Sequence, residues 1–262
     1  MKKTILFAAA LVAMTACNKN VIEVAPSDGF GYINLGITAD TEMVVTKAAE
    51  QPDGAELPNY NITLKQGETV KWTREFDEMS PEDLTQPAGT YTLYVENLTE
   101  EEAAPADEKG AVRVAGSVEF TVKAGIENTA EVTCKAINSR VTVANSFTEG
   151  VFSAAEITIT DGNRALPMAW GHTEENGAYY SAGKSITWTL TVTLSNGTKK
   201  TYSDPEATVT VAKKWTQINF SNSSTNGKIF VEILVDGVIS EKIEVSETID
   251  PLEGTVVPTP EA

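Results

Sequence analysis

The chain has 262 residues, 41% hydrophobic and 22% charged, the composition of a folded globular protein rather than a collagen-like or disordered one. Twenty Lys and Arg stand against 37 Asp and Glu, a formal net charge of -17, and so acidic a surface repels phosphate backbones and argues against a nucleic-acid partner. One histidine and two cysteines exclude multi-histidine metal centres, cysteine-rich zinc sites and disulfide scaffolds, and no metal or other cofactor is expected.

The N-terminus reads as an address. Lys2 and Lys3 precede an apolar stretch from Ile5 to Met14, and small residues follow up to Cys17. The stretch is too short to cross a hydrocarbon core of about 30 Å as a helix, so residues 1–16 read as a secretory signal. Met14-Thr15-Ala16-Cys17 resembles a bacterial lipobox, with Met14 where Leu is usual. That resemblance implies lipidation of Cys17, which becomes the first mature residue. The alternative is a plain secreted protein cut near Ala16. Each buried acyl CH₂ is worth roughly 0.8 kcal/mol, so several chains on one sulfur hold firmly. Cleavage removes Lys2 and Lys3, leaving 18 basic against 37 acidic residues, or -19. Residues 17–28 are then a lipidated tether, and the membrane is the first expected partner.

The body of the chain alternates with period two, the signature of strands with one buried face. In chain order the alternating sets are Ile33, Leu35 and Ile37; Tyr60, Ile62 and Leu64; Val70 and Trp72; Tyr91, Leu93 and Val95; and Val118, Phe120 and Val122. Val132, Cys134 and Ala136 share one face, so Cys134 is expected to be a buried strand thiol. Val141 and Val143, then Ile157 and Ile159, open the second half. Ile186, Trp188, Leu190, Val192 and Leu194 make the longest run. Val209 and Val211, Ile218 and Phe220, Ile229 to Val235, and Ile243 with Val245 complete the set. Asn196-Gly197 and Asp236-Gly237 predict two-residue hairpin turns. Ser80-Pro81-Glu82-Asp83 predicts a single helical turn, and 100–108 an acidic loop of the first half.

Many short strands separated by turn signals mean β-sandwiches. The expected fold is all-β, two tandem sandwiches of immunoglobulin-like or transthyretin-like type. The boundaries are 29–137 for the first domain, 138–250 for the second and 251–262 for a flexible tail.

Several segments together are similar to a known family. They are Gly31-Tyr32-Ile33-Asn34-Leu35, Val45-Thr46-Lys47-Ala48, Pro87-Ala88-Gly89-Thr90-Tyr91-Thr92-Leu93, Phe120-Thr121-Val122-Lys123-Ala124-Gly125, Val132-Thr133-Cys134-Lys135 and Val141-Thr142-Val143. Their order and spacing resemble an outer-membrane lipoprotein family of gut Bacteroidota carrying a domain-of-unknown-function label of the 4493 type. More distantly the chain resembles fimbrillin-like and adhesin-like proteins. The resemblance transfers no catalytic residues and implies a two-domain β protein on the outer membrane with an adhesin-like or fimbrillin-like role in cell adhesion; the cell surface is the expected side, and the periplasmic face is the alternative. Fimbrillins are typically cut after an Arg near the start. The first Arg here is Arg74, so the resemblance implies a tethered protein, or a tip or anchor, rather than a polymerising subunit.

Catalytic motifs are not found. The sequence lacks a Gly-x-Ser-x-Gly elbow, a phosphate-binding glycine loop and a His-Glu-x-x-His pair, so the expectation is not an enzyme. A carboxylate-based hydrolase is the low alternative, because its test is a distance in space. His172 is expected to be an exposed loop histidine. Asp161-Gly162-Asn163 and the 100–108 run offer oxygen ligands without calcium-loop spacing. Trp170, Tyr179 and Tyr180 fall in a stretch without alternation and are the candidate ligand-contact aromatics, since exposed rings stack on sugar faces; the alternative is that they pack under the 162–182 loop, because aromatics contribute large buried area. A protein or glycan partner at the cell surface is expected on these grounds.

Overall fold

The computed structural model describes residues 29–40, 60–106, 108–204, 206–223 and 228–245. Residues 1–28, with Cys17 and the tether, and the tail 251–262 lie outside the described residues.

The described chain is all-β. Its strands are β1 (Phe30–Asp40), β2 (Asn61–Gln66), β3 (Thr69–Glu75), β4 (Thr85–Pro87), β5 (Gly89–Glu96), β6 (Val114–Val122), β7 (Glu127–Ala136), β8 (Asn138–Ser146), β9 (Phe152–Thr160) and β10 (Ala165–Met168). They continue as β11 (Ala178–Ser181), β12 (Ser185–Leu194), β13 (Lys199–Ser203), β14 (Thr208–Val209), β15 (Trp215–Asn222), β16 (Ile229–Val235) and β17 (Val238–Val245). The alternation predicted for β7 and β12 is realised residue by residue, buried on one face and exposed or half-buried on the other.

Two compact units form. The first holds 29–40, 60–95 and 116–134, and the second holds 96–115 and 135 onwards. In the first, one sheet runs in the order β3-β2-β5-β6-β7-β1-β4. Ile33, Ile62, Leu64, Tyr91, Leu93, Val132 and Cys134 form its buried face. The Cys134 thiol lies 3.8 Å from the carbonyl of Val95, and burial pushes it up to about 12, so it stays an unreactive thiol at neutral pH.

The second unit is a two-sheet sandwich. One sheet runs β10-β9-β12-β13 with β14 on β12, and the other runs β11-β8-β15-β16-β17. β15 lies parallel to β8, whereas β16 and β17 continue antiparallel. Val141, Val143, Ile159, Trp188, Leu190, Ile218, Phe220, Val231 and Ile233 fill the space between the sheets. Each such side chain contributes roughly 1.5–3 kcal/mol when fully withdrawn from water.

Three local expectations are corrected. The acidic segment 100–108 was expected as a loop of the first half. It contains the described chain's α-helical turn, α1 (Glu100–Ala103), and packs with the second unit. Thr99 caps α1 through a reciprocal capping box with Glu102. Ser80–Asp83, expected as the helical turn, is a turn closed by hydrogen bonds between Ser80 and Asp83. The Asn196-Gly197 hairpin has a three-residue loop. Leu194 donates to the carbonyl of Thr198 and Gly197 donates to that of Leu194, which leaves Ser195, Asn196 and Gly197, and of these Gly197 takes a positive φ of 86°. Asp236-Gly237 is the two-residue turn expected, with positive φ at both residues between paired Val235 and Val238.

Candidate functional site

The notable chemistry lies in the second unit, on the face of the β8 sheet that points away from the core. Period two sends Val141 and Val143 inward and Arg140 and Thr142 outward. On a solvated face Arg140 and Thr142 would be exposed. Instead they are 5% and 0% exposed. The cover is the connection between β10 and β11, residues 169–177, which lies over β8 as a strap. Gly171 donates its N–H to the carbonyl of Val143 at 2.7 Å. Gly177 is needed where the strap comes down. A Cβ there would stand 2.6 Å from Arg140 Nε and 3.3 Å from Thr142 Cγ2.

Beneath the strap the outward side chains of three adjacent strands meet. The register sets Arg140 opposite Tyr179 on β11 and opposite Trp215 on β15. The Arg140 guanidinium lies 5.0 Å from the centroid of the Trp215 ring and pairs with the carboxylate of Glu174 on the strap. The Tyr179 hydroxyl donates to the same carboxylate. Trp215 Nε1 donates to Thr142 Oγ1 at 2.7 Å, and Thr142 Oγ1 lies 2.8 Å from His172 Nδ1. His172 Nε2 bonds to Asn219 Oδ1.

These contacts set the protons. Asn219 Oδ1 can only accept, so a neutral His172 carries its proton on Nε2, and its bare Nδ1 accepts the hydrogen of Thr142 Oγ1. Burial pulls the His172 pKa down, and the Arg140 charge adds to that, against the stabilising Asn219 bond. The imidazole is therefore neutral and half-buried rather than the exposed loop histidine expected from sequence. Hydroxyl, imidazole and amide stand in the order of nucleophile, base and orienting group. Thr142 is nevertheless fully buried, with its oxygen engaged on both sides, so no substrate reaches it in this arrangement.

Of the two readings of the candidate aromatics, the structure follows the packed one. Ala178–Ser181 is β11, not an irregular stretch. Tyr180 points inward and is 0% exposed, with the Arg164 guanidinium 4.2 Å from its ring centroid. Tyr179 is 6% exposed. Trp170 is half-buried, edge-on to Phe220 at 5.9 Å, and its indole N–H reaches the carbonyl of Ala155 at 3.1 Å. The large apolar area of these rings draws them into packing. Asp161 accepts the N–H groups of Asn163 and Arg164, both at 3.0 Å, which closes the turn considered as an oxygen-ligand source. Among the described residues no group of three or more His, Cys, Asp or Glu is placed to hold a metal ion. Arg140, Thr142, Trp215 and Asn219 carry no sequence motif. The one signal for them was a Trp at an outward position of a strand, in a chain with a single histidine.

The family model described as "Domain of unknown function (DUF4493)" matches residues 29–251. The chain belongs to this family. The match spans the segments on which the resemblance rested, from Gly31 to Val143. Comparison with curated proteins gives no match. Among solved structures, a fimbrial assembly protein from Parabacteroides distasonis is similar at 12% identity and a TM-score of 0.46, over 80% of this chain and 98% of that one. A candidate cell-adhesion protein from Bacteroides eggerthii is similar at 10% identity and a TM-score of 0.44, over 84% of this chain and 98% of that one. A candidate polysaccharide-binding protein from Bacteroides thetaiotaomicron is similar at 10% identity and 0.42, over 80% and 97%.

Proposed function

We propose that this protein is a non-enzymatic, lipid-anchored protein of the outer membrane that presents an adhesion or assembly surface outside the cell. The observation that carries this reading is β17. Among the described residues it is the terminal strand of its sheet, eight residues long, and it exposes Val238 at 70% and Ile239 at 47%. The Val238–Ile239 end of this terminal strand offers apolar side chains in water for pairing, while Glu241, Lys242 and Glu244 charge the rest of it. Anchoring rests on the Met14-Thr15-Ala16-Cys17 resemblance. A glycan partner has less to stand on, because Tyr180 is packed inward and Tyr179 is buried beneath the strap.

The test has two parts. On intact cells, added protease is expected to digest the protein, and Cys17→Ser is expected to release it from the membrane fraction. Ile239→Arg is expected to abolish adhesion or assembly while leaving the fold unchanged by circular dichroism. Complete protection from protease, or a purified product without fatty acid on Cys17, would overturn the reading.

A further inference from the structure

The strap over β8 is held by a set of contacts that depends on one proton. Its apolar anchor, Trp170, enters the core edge beside Phe147 and Phe220. Beyond Trp170 it is held to the sheet mainly by polar contacts: Gly171 to Val143, His172 to Thr142 and Asn219, and Glu174 to Arg140 and Tyr179. Lys109 adds one contact to the carbonyl of Glu175. The sheet beneath is not a hydrophobic core but a polar and aromatic face.

We propose that this strap is an acid-released cover, closed over the outer face of β11, β8 and β15 while His172 is neutral and freed when the imidazole takes a second proton. The new proton would sit on Nδ1, the atom that now accepts from Thr142. Thr142 Oγ1 would then face two donors, the Trp215 indole and the imidazolium. Its own hydrogen would be left without an acceptor in a fully buried position, which is costly.

Charge acts in the same direction. From β8 the imidazole faces Arg140, already a cation, and Thr142. From β15 it faces Asn219 and Trp215, which carry no charge. Two carboxylates stand on neighbouring positions and both are held: Glu174 of the strap by Arg140 and Tyr179, and Glu232 of β16, opposite Asn219 in the register, by Lys242 of β17. The groups that touch the ring, Thr142, Asn219 and Trp215, include no carboxylate to offset a second positive charge. The released strap keeps a normally solvated histidine, so the open form binds more protons than the closed one and acid shifts the balance towards opening. Opening uncovers Arg140, Thr142, Trp215 and Tyr179 together, a flat face with a guanidinium, a hydroxyl and two ring edges.

His172 is the single histidine of the chain, so its ring resonance titrates without overlap. In the purified protein, proton NMR of that ring is expected to report a pKa below the ordinary 6.5. Across the same pH interval, amide exchange in residues 169–177, corrected for intrinsic rates, should rise at least tenfold while β12 and β16 keep their protection. In His172→Gln, a neutral side chain able to accept from Thr142 and donate to Asn219, the rise should vanish. Strap protection that stays constant through the wild-type titration would overturn the proposal, as would an equal acid rise in His172→Gln. If His172→Gln does not fold, coincidence of ring titration and strap exchange in the wild type still decides the matter.

Discussion

Arg140 stacks on the ring of Trp215, 5.0 Å from its centroid, and both side chains lie on the sheet face opposite the core. A charged residue next to a tryptophan at outward strand positions would ordinarily mark a solvated surface. Here both are buried, because the strap brings Glu174 down onto the guanidinium. The polar face is thus part of the second unit's packing.

Truncation of Arg140 should therefore be costly. Arg140→Ala removes the stacked cation and leaves the Glu174 carboxylate with the Tyr179 hydroxyl as its remaining partner here. The expected loss is about 2–4 kcal/mol for the second unit. Arg140→Lys keeps the charge but neither the planar stack nor the fork, and should recover less than half of that. Urea unfolding followed by Trp fluorescence measures both. A loss under about 0.5 kcal/mol for Arg140→Ala would mean that the pair is solvated and the strap is not seated as described.

Gly31, in the first segment of the family resemblance, is a packing requirement. A Cβ there would lie 2.2 Å from the Lys123 carbonyl oxygen and 2.7 Å from Asn128 Nδ2. Asn128 is itself fixed by bonds to the backbone of Lys123, Ile126 and Tyr32, so it has no room to move. Gly31→Ala should cost about 1–3 kcal/mol. Gly36 on the same strand is the control. Its Cβ would meet the flexible Glu131 Cγ at 3.2 Å, so Gly36→Ala should cost little. Equal losses at both positions in thermal unfolding would contradict this account.

Asp204 should set a pH dependence of the opposite sense to that of His172. Burial raises its carboxyl to about 6, with the Glu241 and Glu206 charges adding. Folding holds the proton that the unfolded chain releases near 3.8, so stability falls as pH rises from about 4 to 6 and stays reduced above. Asp204→Asn should stabilise above pH 6 by about 1 kcal/mol, discounted for partial exposure, and have no such effect below pH 4. Asparagine still accepts from the Glu206 N–H, now at 3.2 Å. Calorimetry at pH 4 and 7.5 measures the difference, and an equal gain at both would rule out ionisation as its cause.

Much of this protein was legible in its sequence because strand periodicity is local. Ile186 to Leu194 and Val132 to Ala136 show which face is buried, since adjacent side chains must point oppositely on a pleated strand. Family membership was legible for the same reason, in short segments whose order is kept from Gly31 to Val143. The site was not. Alternation told that Arg140 and Thr142 face away from Val141 and Val143, and it assigned that direction to water. Only the tertiary structure decides what lies there, because the strap reaches β8 and β15 from residues 30 to 47 positions away in the chain. The same holds for Tyr180: its neighbours do not alternate, so the sequence leaves its ring either exposed or packed, and pairing with β8 turns it inward against Arg164. Burial within a strand follows from nearest neighbours, but burial of a strand's outer face depends on a distant segment folding over it.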